Sequence, residues 1–255
     1  MGRTGLVSRI GRRAWRYLIG LEDLLFLPEA HFRLAETYLA RYHQHLLRRD
    51  WAARDETPHW YNHRIDLFTW SRHRNGHWVE RGVYSTQVMW PGCVVLDIGC
   101  GDGFYPYHFY THVAASIDAV DSDAEAIAHN RAVHAHPKIN SVRLNVVTEA
   151  FPRDRYDVVT WDGGLGHLSR SQIEIVAHKI ADALQDTGVL CGYEELQFEG
   201  ERSWDHHIAI GTREELKALL APFFRHVLVL ESRSPGRRNA YFRCSQNLER
   251  LKAFQ

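Results

Sequence analysis

The 255 residues are enough for one full domain with an extension, and 45% hydrophobic with 24% charged residues fit a globular chain that buries a core. Basic and acidic residues balance at 31 each, so no overall field draws the chain to nucleic acid or acidic substrates. No run reaches the roughly twenty apolar residues that cross a bilayer, and four cysteines without a C-x-x-C pair point to reduced thiols rather than a disulfide framework or zinc site.

Residues 1–16 depart from the charge balance, with Arg3, Arg9, Arg12, Arg13 and Arg16 and no acid. Residues 6–27 are expected to form one or two amphipathic helices, with Leu6, Ile10, Trp15, Leu18 and Ile19 as the apolar stripe. A basic helix of this kind packs on the domain or a partner subunit, or lies peripherally on a membrane surface. Residues 31–49 follow as a second helix, with Ala35, Tyr38, Leu39, Tyr42 and Leu46 at helical spacing. Residues 51–90 then concentrate rings and histidines, among them Trp60, His63, Trp78 and Trp90, interleaved with Arg64 and Arg81. Flat rings suit stacking on sugar faces or planar groups, and they suit capping a sheet equally well.

From residue 94 the pattern changes to alternating strand and helix. The run 94–103 is a short apolar strand that ends near Asp97 and breaks into Gly99, Gly101 and Gly103 ahead of a helix. Such glycines permit a tight turn and close backbone approach to a ligand, and a helix N-terminus offers unpaired N–H groups. A second apolar run at 114–120 ends in Asp121, placed to reach ribose hydroxyls in a βαβ unit. Ser122-x-x-Glu125 reads as a capping box, and a third strand is expected over 142–147, running into Thr148 and Glu149. A fourth over 156–161 ends in Asp162-Gly163-Gly164-Leu165-Gly166-His167. Ser169-x-x-Gln172 caps the next helix, and Asp186-x-Gly188 turns into a fifth strand over 189–193. Thr212-x-x-Glu215 caps a last helix before strands at 226–230 and 240–244, read as an antiparallel pair at the sheet edge.

Asp97, Gly99, Gly101 and Gly103 match the D-x-G-x-G-x-G form of the first motif of class I S-adenosylmethionine-dependent methyltransferases. Over about residues 90–245 the sequence resembles that family. The resemblance implies an α/β fold: a doubly wound, seven-stranded, mostly parallel Rossmann-like sheet (91–255) behind an N-terminal helical and aromatic-rich extension (1–90). It implies S-adenosylmethionine as cofactor and S-adenosylhomocysteine as product. The cofactor residues would be Asp97, Gly99, Cys100, Gly101, Gly103, Asp121, Ser122, Thr148, Glu149 and Asp162. The segment ahead of the first strand commonly lids the cofactor in this family, so Trp60, His63, Arg64, Trp78 and Arg81 become lid or acceptor-binding candidates.

Methyl transfer to oxygen needs a general base, and an imidazole suits that work at neutral pH. The resemblance supports a histidine in the loop after the fifth strand, which makes His207 the first candidate and His206 the second. His167 and Asp162 compete for the role. A metal set of Asp162, Glu194, Glu195 and His207 is conceivable, but the E-x-x-E-H cluster of the metal-using small-RNA 2′-O-methyltransferases is absent, and no metal is expected. The leading expectation is therefore O-methylation of a small-molecule or carbohydrate hydroxyl by a cytoplasmic enzyme, at a membrane surface if 6–27 binds there. Methylation of nitrogen or of a nucleic acid, and a non-catalytic scaffold on the same fold, are the alternatives. A homo-oligomer is compatible with the sequence.

Overall fold

A computed structural model of the protein describes residues 31, 33–35, 37–38, 41–42, 63, 76–198, 206–234 and 237–252. The chain forms two compact units, Met1–Asp55 and Glu56–Gln255. In the first unit the described residues are helical, as the spacing of Ala35, Tyr38 and Tyr42 predicts, and the rings of Tyr38 and Tyr42 stack with centroids 6.3 Å apart. The helix expected over 6–27, and Trp60 and Arg64, lie outside the described residues.

The second unit is built on a seven-stranded sheet. In chain order it runs α1 (His77–Thr86), β1 (Val94–Ile98), α2 (Phe104–His108), a 3₁₀ turn, β2 (Ser116–Asp121), α3 (Ala124–Val133), β3 (Ile139–Arg143) and β4 (Tyr156–Asp162). There follow α4 (Arg170–Ala183), β5 (Leu184–Leu196), α5 (Arg213–Leu220), β6 (His226–Ser234), β7 (Arg237–Ser245) and α6 (Leu248–Lys252). The strand order is β3-β2-β1-β4-β5-β7-β6, with β7 antiparallel to both of its neighbours and every other pairing parallel. The order reverses between β1 and β4, and a crevice opens at such a switch point beyond the carboxyl ends of the strands.

Both faces of the sheet are covered, which explains why its central strands read as unbroken apolar runs. Leu96, Val159 and Leu190 face one way, against Ile173, Val176 and Ile180 of α4 and Leu216, Leu219 and Leu220 of α5. Their neighbours Val95, Val158 and Val189 face the other way, with Phe104, Tyr105, Tyr110, Ile127 and Leu251. All four cysteines are free and buried.

Three local expectations are corrected. The third strand lies at Ile139–Arg143 rather than 142–147. Asn145 accepts the Val147 amide on its side chain and the amides of Thr148 and Glu149 on its carbonyl, so it closes a turn where the apolar pattern alone suggested strand. The cap of α3 is Asp123, which accepts from the Glu125 and Ala126 amides. The Ser122 spacing starts one residue too early. The fifth strand starts at Leu184, and the Asp186–Gly188 stretch is absorbed as a register shift: Tyr156 opposes Leu184, whereas Val158 opposes Val189. The Ser169–Gln172 capping box is present with both reciprocal bonds, and Thr212 accepts from the Glu215 amide.

Candidate active site

Three parallel strands deliver acids to the switch point, Asp97 from β1, Asp121 from β2 and Asp162 from β4. The turn after β1 is shaped by its glycines. Gly103 has φ +77°, and a Cβ there would lie 2.3 Å from the Asn130 side chain, so that glycine serves packing. Gly99 also has a left-handed φ, +70°, yet nothing lies within 4 Å of where its Cβ would stand. Gly99 is exposed and leaves the backbone open to a ligand. Asp121 braces the turn, accepting the Gly101 amide on one carboxylate oxygen and the Asp123 amide on the other, each at 2.9 Å.

The floor of the crevice is lined by buried ionisable groups. Asp97 accepts from the Thr160 hydroxyl, and burial pushes its carboxyl up to about 8. Glu194 is buried on β5. It accepts the Leu165 amide at 3.0 Å and that of Gly166, and burial still holds it up at about 7. Asp162 is raised as well, because burial outweighs the neighbouring Arg81 and the hydroxyl of Tyr110. One oxygen of Asp162, Oδ1, is buried with no partner. Arg81 reaches this floor from α1, donating to the Asp162 carbonyl at 3.3 Å. Its guanidinium carbon stands 4.7 Å from the Tyr105 ring centroid and 4.8 Å from that of Tyr193. Burial disfavours the Arg81 charge, and the neighbouring Asp162 with the faces of the two rings offsets it.

Beyond β4, Gly166 gathers three histidines. The His206 ring sits so close to Gly166 that a Cβ there would fall 2.4 Å from its Nδ1, and it meets His167 edge to face at 4.8 Å. The His207 amide donates to the Gly166 carbonyl at 2.7 Å, while His207 itself is exposed.

Residues 95–188 match the model of a family described as a methyltransferase domain. Residues 95–188 are a methyltransferase domain, with S-adenosylmethionine as its cofactor. No curated protein matches the sequence. Solved structures share the fold at low identity. A complex of DhpI with S-adenosylhomocysteine is 17% identical, with a TM-score of 0.53 over 71% of this chain and 88% of that one. The N-methyltransferase NodS from Bradyrhizobium japonicum is 15% identical, with a TM-score of 0.53 over 69% and 95%. A TehB-like S-adenosylmethionine-dependent methyltransferase from Corynebacterium glutamicum is 14% identical, with a TM-score of 0.51 over 73% and 100%.

The crevice of this methyltransferase domain fits the cofactor of its class. The open space over Gly99 admits a ligand against the backbone. The unpartnered Asp162 Oδ1 and the raised carboxyls of Asp97 and Asp162 call for a cation, and S-adenosylmethionine brings a sulfonium and an ammonium.

Of the other residues named from sequence, Cys100 is buried in the turn and accepts from Asn130 Nδ2 at 3.6 Å. Ser122 is exposed, with its carbonyl taken by Arg143. Thr148 and Glu149 are exposed in the turn after β3, where Glu149 accepts the Asn145 amide. His63 and Trp78 meet edge to face with centroids 4.6 Å apart, and His63 is bonded to Asp102 inside the glycine turn. Among the acids weighed as metal ligands, Glu194 is committed to the loop after β4 and Glu195 to Arg237.

Sequence reasoning missed the part played by Asp102, although Asp-Gly-Phe is a recognisable local signal. An Asp two residues ahead of a free amide at a helix start accepts it, as Asp102 accepts from Phe104 at 3.1 Å. It also missed Tyr110, and Glu194 as the acceptor for the loop after β4. Neither carries a local sequence signal, because each acts on a segment distant in the chain.

Proposed function

We propose that this methyltransferase places a methyl group on a hydroxyl of a small molecule or carbohydrate, with a histidine beside Gly166 taking the proton. The observation that carries the reading is the gathering of His167, His206 and His207 around Gly166, at the carboxyl end of β4 where the crevice opens. S-adenosylmethionine, when bound, supplies an activated methyl group. The protein's own part is to hold the two reactants in line, exclude water and accept a proton. Asp121 and the Gly99 turn hold the nucleoside end, and Asp97 and Asp162 face the cationic end. His207 is the first candidate for the base, because its ring is exposed on a segment whose backbone is tied to Gly166. His206 is engaged with His167 and comes second.

Trp78 is part-buried beside the crevice and offers an apolar ring to an acceptor. The arginines and Trp15 of the first 16 residues support work near a membrane surface, on lipid-linked or polysaccharide precursors. Co-sedimentation of the full chain with anionic vesicles tests that placement.

The functional test supplies S-adenosylmethionine labelled in its methyl group with matched panels of hydroxyl and amine acceptors, saccharides included. The reading expects label on hydroxyl acceptors and its loss by about a hundred-fold or more in His207→Ala, with S-adenosylhomocysteine binding retained. Label on amines alone, or full transfer by variants lacking each of the three histidines, contradicts it.

A further inference from the structure

Asp102 stands between Gly101 and Gly103, in the turn where the cofactor is expected, and it is fully buried. Its carboxylate accepts three hydrogen bonds. The His63 amide donates to Oδ2 at 2.7 Å, His63 Nδ1 donates to Oδ1 at 2.9 Å, and the Phe104 amide donates to the same Oδ1 at 3.1 Å. Burial alone would raise this carboxyl, but the pairing with His63 overrides it and holds Asp102 below its ordinary range. On the other side, His134 Nδ1 donates to the Asp102 carbonyl at 2.6 Å. The peptide in the middle of the turn is gripped at its side chain and at its backbone.

His63 is itself fixed. Its ring lies against Phe104 at 5.2 Å with planes 18° apart, meets Tyr105 at 5.2 Å, and takes the edge of Trp78 at 4.6 Å. It stands far ahead of β1 in the chain, 39 positions from Asp102, yet both of its nitrogen donors on that side are committed to one carboxylate. A lid residue that contacted only ligand would not be tied to the protein in this way.

We infer that His63 is a positioning residue for the cofactor turn: acting through Asp102, it locks the backbone of 99–103 in the shape that receives the cofactor. The inference rests on the reading of this crevice as the S-adenosylmethionine site. A rigid turn presents its amides without reorganising, so the lock acts on cofactor affinity rather than on the chemistry of transfer.

The test uses the full chain with His63→Ala, His63→Asn and His63→Gln. Asparagine carries its amide nitrogen on the same path of bonds from Cα as His Nδ1, and glutamine sets it a methylene farther out. S-adenosylhomocysteine affinity is measured by titration, amide exchange over 99–104 is followed in the ligand-free protein, and circular dichroism checks the fold. His63→Ala should weaken binding by about ten-fold or more and speed exchange in the turn. His63→Asn should return within about three-fold of the native affinity, and His63→Gln should not. Native affinity and native exchange in His63→Ala overturn the inference, as does an Asn variant as weak as Ala. Should His63→Ala fail to fold, Asp102→Asn, which keeps one acceptor oxygen, is read the same way and must lose affinity. A native chain that binds no S-adenosylhomocysteine fails the cofactor reading instead, and the exchange rates in the free protein still decide whether His63 locks the turn.

Discussion

Two glycines in one turn separate ligand approach from packing, and substituting each by alanine reads the two roles apart. Both have a left-handed φ, so a Cβ at either costs about 1–2 kcal/mol in backbone strain. At Gly99 that is the whole cost to the fold, because nothing lies within 4 Å of the new methyl. At Gly103 the methyl would stand 2.3 Å from the Asn130 side chain, which is fully buried and donates to Cys100, so overpacking adds about 1–3 kcal/mol. For a domain of this size, about 1 kcal/mol moves the melting temperature by roughly 2–4 °C. Gly99→Ala should therefore melt only a few degrees below native, and Gly103→Ala about twice as far below or more. Affinity should not follow the same order. The Gly99 methyl fills the space a ligand needs, and titration should show S-adenosylhomocysteine binding weakened by about ten-fold or more in a protein that is still folded. If Gly99→Ala binds as native, the ligand does not approach the backbone there and the assigned cradle is wrong.

Two further outcomes follow from the buried acids. Asp97 and Asp162 hold protons above their ordinary range, Asp97 up to about 8, so a cationic cofactor must displace them. Titration calorimetry in buffers of different ionisation enthalpy should detect proton release on S-adenosylmethionine binding, with affinity rising from pH 6 to pH 8. A pH-independent affinity would show that these carboxyls do not face the bound cation. Glu194 keeps its proton in the fold up to about 7, whereas the unfolded chain loses it near 4.5. Its contribution to stability is complete below about pH 4.5 and lost as the pH rises through 7, about 3 kcal/mol in all. Urea unfolding of Glu194→Gln against native should show their difference in stability changing by about 1.4 kcal/mol per pH unit across that window. A constant difference would place Glu194 in a more hydrated setting.

The sequence makes legible what short spacing determines. Asp97 with its three glycines, the apolar runs of the central strands and the Ser169–Gln172 box all act within a few residues, and each stands where the pattern put it. The resemblance added the seven-stranded order that no single segment contains. Misplaced elements are those where a polar side chain overrules an apolar run: Asn145 ends β3 ahead of Val146 and Val147, and Asp123 takes the cap from Ser122. At β5, pairing with β4 carries the strand through Asp186 and Gly188, which read locally as a turn. Least legible are contacts across the chain. His63 with Asp102, Arg81 with the Asp162 carbonyl and Glu194 with the Leu165 amide join segments far apart, so neither periodicity nor a cap motif announces them.

The most direct test of the account is calorimetric titration of the full chain with S-adenosylmethionine and S-adenosylhomocysteine, beside Asp121→Ala. The account predicts one site per chain for both ligands. It also predicts loss of binding by about ten-fold or more in a variant that keeps its circular dichroism, because Asp121 braces the turn on which the proposed cofactor site is built. A folded native chain that binds neither ligand, or an Asp121→Ala variant that binds both undiminished, contradicts the placement of the cofactor at the ends of β1, β2 and β4.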